Sequence, residues 1–300
     1  MKLRLRALAL AGLLELLLAG VVLAAGPEPS PSPSPGPSPS PSPAPVAAAL
    51  PQPGDRLPRG PRALAAALDR TTADLNGAID RWRGDGDPSR GGPPEDVTLL
   101  ALHQQRIYRL LTRRVRLSRA VIRRLPRRLR AAARDNVLAR RELARIVSVH
   151  HGPPPRIDVG PAQPADVLRG HYRRAWKRFR VGPPLLAAVN FVESAFGKLR
   201  NRSVSGARGP MQFMPATWRA YGLGGDIQDP RDAILGAANY LHASGAPGDE
   251  RGALHHYNPS PLYVSAVARY ARRIRVDVRA FYAYYAWQVY VGGRRLSGPR

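Results

Sequence analysis

An all-α, or mainly α, fold is what this sequence predicts, on three observations. Apolar residues recur at steps of three and four in one segment after another, the repeat of a single helix face. No stretch alternates apolar and polar residues with the period of two that marks a half-buried strand. Stretches rich in proline and glycine separate the periodic segments, as loops do.

Taken in order, residues 1–25 carry Lys2, Arg4 and Arg6 ahead of an apolar run from Ala7 to about Ala25, which ends on the small Ala24 and Ala25. That pattern predicts a secretory signal peptide. The alternative is a retained membrane anchor, near the ~20 residues a span needs but with Glu15 where a charge is costly. Either way the remainder is expected to be exported. Residues 26–60 read as a linker, because Pro27 to Pro45 is a Pro-Ser repeat with nothing to pack and an extended preference of ~3.1 Å per residue. Residues 61–150 read as an arginine-rich helical region. Its first helix, Arg62 to Arg83, is spaced through Leu64, Leu68, Leu75 and Ile79. The loop GDGDPSRGGPPED follows, with Asp85, Asp87 and Asp96 loosely at calcium-loop spacing. Arg90 stands where such a loop needs glycine and prolines interrupt it, so no metal is expected there. Val97 to about Leu125 reads as one amphipathic helix with Ile107, Leu111, Val115, Ile122 and Leu125 on its stripe, and Arg106, Arg109, Arg113, Arg116 and Arg123 on a neighbouring face. Pro126 opens a further helix that runs to Ile146. After the rigid HGPPPR and GPAQP connections a second helical domain is expected over residues 165–285, including helices at Asp232 to Ser244 and Leu262 to Ile274. Residues 286–300 read as a basic tail.

The chemistry concentrates between Val189 and Trp218. Glu193 is the only acid in an apolar run, with Val189, Phe191 and Val192 before it and Ala195 and Phe196 after it. Solvated glutamates are the commoner case, but a carboxyl among apolar neighbours tends to keep its proton near neutral pH, which a general acid needs. A turn with Gly206, Gly209 and Pro210 follows, then the amide Gln212 between Met211 and Phe213. The series Glu193-Ser194, Ser203, Gly206-Ala207, Gly209, Met211-Gln212, Met214-Pro215 and Thr217, followed by Tyr257-Asn258, resembles the signature of the lytic transglycosylases. These are lysozyme-like enzymes that cleave the glycan of bacterial peptidoglycan. The resemblance runs from about Arg169 to Tyr285. It departs at Asn258-Pro259-Ser260, where the commoner members read Asn-Ala-Gly. A weaker similarity links the helical region before it to actinobacterial members.

The resemblance implies a lysozyme-like catalytic domain behind a basic helical region, and a route with one carboxylate and no cofactor or metal. Glu193 is then the acid and base that cleaves between N-acetylmuramic acid and N-acetylglucosamine and leaves a 1,6-anhydro end. Gln212, Tyr257, Asn258, Met211 and Ser203 are its expected substrate-binding residues, with Asn258 and Ser203 alternatively fixing the loop. Gly206 and Gly209 are expected to keep the groove clear of side chains. The rivals are a muramidase-type hydrolase, with Asp226 or Asp229 as the second carboxylate a hydrolytic glycosidase needs, and a non-catalytic wall-binding protein.

Composition bears on the partners. The net charge of +26, from 47 basic and 21 acidic residues, implies an anionic partner. Fifteen arginines fall between Arg106 and Arg145 against two acids. Nucleic acid is not expected of an exported chain without a recognition motif or interleaved aromatics. Peptidoglycan glycan strands are the expected substrate, and anionic envelope polymers or the membrane surface are expected against the arginine-rich helices. There is no cysteine, hence no disulfide, thiolate zinc site or lipid-modified cysteine. The pairs His150-His151 and His255-His256 lack the spacing of ligands on one helix face. A monomer is expected.

Overall fold

The computed structural model describes residues 49–146, 157–291 and 294–297. The expected signal or anchor, the Pro-Ser repeat and His150-His151 lie outside the described residues. Four helices come first: α1 (Pro61–Gly84), α2 (Glu95–Arg113), α3 (Val115–Arg124) and α4 (Arg127–Ile146). Pro61 opens α1 in its first turn, where a missing N–H costs nothing, and Glu95 and Asp96 place negative charge at the start of α2.

The single helix expected over Val97 to Leu125 is instead two. The backbone turns extended at Arg114 (φ −119°, ψ 91°), and Val115, expected on the apolar stripe, is 46 % exposed. A straight helix over that span would run about 43 Å, past the end of α1 at about 36 Å. The break lets α3 fold back so that Val121 and Leu125 reach the same core as Ile107 and Leu111.

Seven more helices follow: α5 (Ala165–Phe179), α6 (Pro183–Ser194), α7 (Pro215–Tyr221), α8 (Pro230–Ala243), α9 (Glu250–Tyr257), α10 (Pro261–Val276) and α11 (Arg279–Ala286). The only strands among the described residues are β1 (Tyr290–Val291) and β2 (Arg294–Arg295), an antiparallel pair with Tyr290 opposite Arg295. The fold is all-α in its architecture. At its centre lies α6, buried on every face from Leu185 to Ser194, as a helix apolar all round must be. It contacts α5, α8, α10 and α11.

One contiguous core joins the basic helices to the later ones. It runs from Leu64 and Ile79 through Leu111 and Val137 to Phe191, Tyr270 and Trp287. Helix α4 packs along α10, where the buried Asp135 meets Arg272 (3.1 Å) and Arg273 (2.8 Å), and Glu142 meets Arg269 (3.1 Å). The stretch expected as a tail enters this core as well. Trp287 is fully buried, and Gln288 exchanges backbone hydrogen bonds with the Gln105 side chain. Nor is the arginine face uniform. Arg109 is buried, and Arg106 reaches back to the carbonyls of Gln52 and Asp55, while eleven of the fifteen arginines between Arg106 and Arg145 are exposed.

Candidate active site

Glu193 is the penultimate residue of α6, and the chain must leave that buried helix sharply to return to the surface. Three successive residues, Ala195, Phe196 and Gly197, take left-handed conformations (φ 51°, 66° and 84°). Two of them carry side chains, so the turn stores strain that the surroundings must hold. The Ser194 hydroxyl accepts from the Gly197 N–H (2.8 Å), and Phe196 is locked into the aromatic core against Phe191 and Phe281.

The loop that follows is tied down beneath the glutamate. Asn190 Nδ2 donates to the Pro210 carbonyl (2.8 Å), the Ser194 hydroxyl donates to the same oxygen, and Tyr172 donates to Asn190 Oδ1 (2.7 Å). Gly209 (φ 74°) fits because a Cβ there would lie 1.8 Å from the Ile227 carbonyl oxygen. The glycine is therefore required by a neighbouring loop rather than by an open groove. At Gly206 (φ 89°) a side chain would meet nothing, so the turn itself asks for glycine. Ser203 stitches this turn: its hydroxyl accepts from the Ala207 N–H (2.9 Å) and its carbonyl from Gly206 (2.9 Å).

Glu193 is 7 % exposed, and its Oε1 accepts one short hydrogen bond, from the Tyr263 hydroxyl (2.6 Å). Burial raises its pKa from 4.5 to about 7, and the Tyr263 bond, which favours the ionised form, opposes that rise. Such a group is divided between acid and carboxylate near neutral pH, so it can give a proton and take one back. Tyr257 donates to the Met211 carbonyl (2.6 Å) rather than to Glu193. It lies close enough that the Glu193 charge adds to burial in pushing its hydroxyl up. Asn258 is buried, and its Oδ1 accepts from the Ser260 N–H (3.1 Å). Ser260 in turn caps α10 and Pro261 opens it, so the Pro-Ser-Pro departure forms a helix start that delivers Tyr263 to Glu193.

Gln212 sits in a left-handed conformation (φ 48°) and is 8 % exposed. Its Nε2 donates to the Gly209 carbonyl (3.0 Å), while its Oε1 is buried with no partner in the protein. A buried unpaired acceptor is costly, and a ligand donor can satisfy it. Met211 is wholly buried, and what it gives the site is the carbonyl that holds Tyr257. Asp226 and Asp229 are both engaged in local turns. Asp226 accepts from the Gln228 N–H (2.8 Å), and Asp229 caps α8 through the Asp232 N–H (3.0 Å). Neither contributes to the shift of Glu193, whose causes are burial and Tyr263.

Two residues of this arrangement escape a reading of the sequence. Tyr263 reads there as a helix-packing residue. Asn190 shows the same signal as Glu193, a lone polar residue in an apolar run, four positions before Ser194 on one helix face.

Residues 171–274, about a third of the chain and reaching from α5 into α10, match the family model of the Transglycosylase SLT domain. The chain thus carries a lysozyme-like SLT domain, the catalytic domain of lytic transglycosylases, enzymes that cleave the glycan of peptidoglycan. Helices α1 to α4 and α11 lie outside the match. No curated protein and no solved structure matches the chain.

Proposed function

We propose that this protein is an exported lytic transglycosylase in which Glu193 is the sole acid and base. The protonated carboxyl gives its proton to the glycosidic oxygen between N-acetylmuramic acid and N-acetylglucosamine as the bond to the anomeric carbon breaks. The oxygen of the muramic N-acetyl group closes on that carbon. The Glu193 carboxylate then takes the proton of the C6 hydroxyl, whose oxygen displaces the acetyl oxygen and forms the 1,6-anhydro ring. Water is not consumed, and Glu193 ends protonated as it began.

The observation that carries this reading is a single buried carboxyl poised near neutral pH, held by Tyr263 and with no second acid acting on it. The unpartnered Gln212 Oε1 supports a role in accepting a hydrogen bond from a sugar amide or hydroxyl. Ser203 and Asn258 serve by fixing the loops on either side, and Tyr257 by fixing the Met211 carbonyl. The exposed arginines of α3 and α4 are the proposed contact with anionic envelope polymers. Among the described residues no helix is long and apolar enough to cross a membrane. The test is mass analysis of the fragments released from purified wall by the protein and by Glu193→Gln. Anhydro ends lost in the variant are expected, whereas reducing ends from the unaltered protein would make it a hydrolase.

A further inference from the structure

Behind α6, where α2 and α4 meet the C-terminal hairpin, lies a cavity of about 40 Å³. Its walls include Arg109 of α2, Arg140 of α4, Phe191 of α6 and Tyr270 of α10, with Trp287 and Tyr290 closing it. Phe191 and Glu193 are two positions apart on α6, about 200° around the helix, so this cavity opens on the side away from the catalytic carboxyl.

Arg109 is 8 % exposed, and its guanidinium lies 3.6 Å from the centre of the Tyr290 ring. Stacking of this kind uses the face of the guanidinium and leaves the N–H groups at its edge free. Here Nη1 of Arg109 is buried without a partner, and so is Nε of Arg140. Burial and the Arg140 charge push Arg109 down to about 9, burial lowers Arg140 as well, and Arg113 acts on both, while Tyr290 opposes the fall at both and Tyr270 opposes it at Arg140. No aspartate or glutamate lines the cavity. Other partly buried cations have partners: Lys198 the carbonyls of Tyr285 and Trp287, Arg141 those of Leu111 and Thr112, and Arg273 an ion pair with Asp135, whereas Nε of Arg208 is, like the groups on Arg109 and Arg140, buried without one. A water molecule would satisfy the N–H groups but leave like charges buried and unneutralised, which is expensive.

We infer that this cavity is a binding site for a carboxylate, gripped between the N–H edges of Arg109 and Arg140. The volume exceeds the roughly 10–15 Å³ that one water molecule needs on this measure, so the cavity admits a small flat group. A carboxylate offers one acceptor oxygen to each guanidinium, and its single negative charge offsets their mutual repulsion. The bound anion would tie α2, α4 and the hairpin together behind α6. The carboxylate comes either from a small solute or from a peptide of the wall, and the two sources are separable.

The experiment is calorimetric titration and thermal unfolding of the full chain with acetate, at constant ionic strength set by a bulky sulfonate salt. Parallel arms use a short peptide with a free terminal carboxylate and the same peptide amidated. Saturable acetate binding that raises the unfolding temperature is expected. Arg109→Gln and Arg140→Gln should each weaken it by about 30-fold or more, the loss typical of one partner of a buried charge pair. Arg116→Gln, at an exposed position of α3, should not change it. Should Arg109→Gln fail to fold, Arg140→Gln and Arg109→Lys still decide the matter, because a lysine keeps the charge but not the fork of donors. Binding of the free-acid peptide in competition with acetate assigns the site to the wall, and acetate binding alone assigns it to a solute. No saturable binding in any arm, or equal binding by both glutamine variants, overturns the inference.

Discussion

Glu193→Gln should stabilise the folded protein by an amount that depends on pH, because the site holds its carboxyl at a cost. The folded group has a pKa of about 7 against an ordinary 4.5. The folded state therefore binds the proton more tightly than the unfolded chain. The Glu193 contribution to stability falls as pH rises from about 4.5 to about 7 and is flat above that window. A gap of about 2.5 in pKa, at about 1.4 kcal/mol for each, gives roughly 3 kcal/mol lost at pH 8. Glutamine has nearly the same shape, does not ionise, and its amide oxygen can still accept the Tyr263 hydroxyl. It escapes the whole penalty.

Denaturant unfolding of both proteins at pH 4 and pH 8 reads this directly. The two should be nearly equally stable at pH 4, and at pH 8 the variant should lead by about 3 kcal/mol, or about 6–12 °C in Tm for a domain of this size. Other groups titrate alike in the two proteins, so the difference isolates Glu193. An equal margin at both pH values, or none at pH 8, would refute the picture of a buried acid poised near neutrality.

Tyr263→Phe removes the hydroxyl that favours the ionised form, so the Glu193 pKa should rise further. The alkaline limb of the pH–rate profile should move up by about one to two pH units, as a hydrogen bond to a charged group warrants, and an unmoved limb would sink the pairing. Gln212→Ala should lower kcat/KM on glycan by about 5- to 100-fold without loss of fold, and unchanged kinetics would leave the unpaired Oε1 unexplained. Gly209→Ala should give little soluble protein or a much reduced Tm, because its Cβ would fall 1.8 Å from the Ile227 carbonyl oxygen; a well-folded alanine variant would show that the two loops separate easily. Replacing the exposed Arg116, Arg119 and Arg123 with glutamine should weaken co-sedimentation with intact wall, most at low salt, since such charges are screened over about 8–10 Å. Binding insensitive to both the substitutions and salt would remove the arginines of α3 from wall attachment.

What was legible in the sequence was whatever a short window could hold. Glu193 stands out because one carboxyl interrupts an apolar run, and the helix around it follows from Pro183 at one end and the run itself. The break at Arg114 has no such signal, having neither proline nor glycine, and is imposed by the limited length of α1 beneath it. The expected basic tail failed in the same way: its arginines are local, but the burial of Trp287 depends on Phe191 and Tyr108 from two distant helices. Tyr263 and Asn190 are functional only through partners 70 and 20 residues away.

The same long-range packing changes how the basic helices must be studied. They read as a separate region, yet α4 is clamped to α10 through Asp135 and Glu142, and the first turn of α10 carries Tyr263 to Glu193. Removing residues 61–150 would strip one side of the core and take away the acids that Arg269, Arg272 and Arg273 pair with, before any role in wall binding is touched. Lost cleavage in such a truncation would report the unclamping of α10, and lost wall binding would report unfolding. Only substitutions of exposed arginines, which leave that core intact, can separate attachment to the wall from the positioning of Glu193.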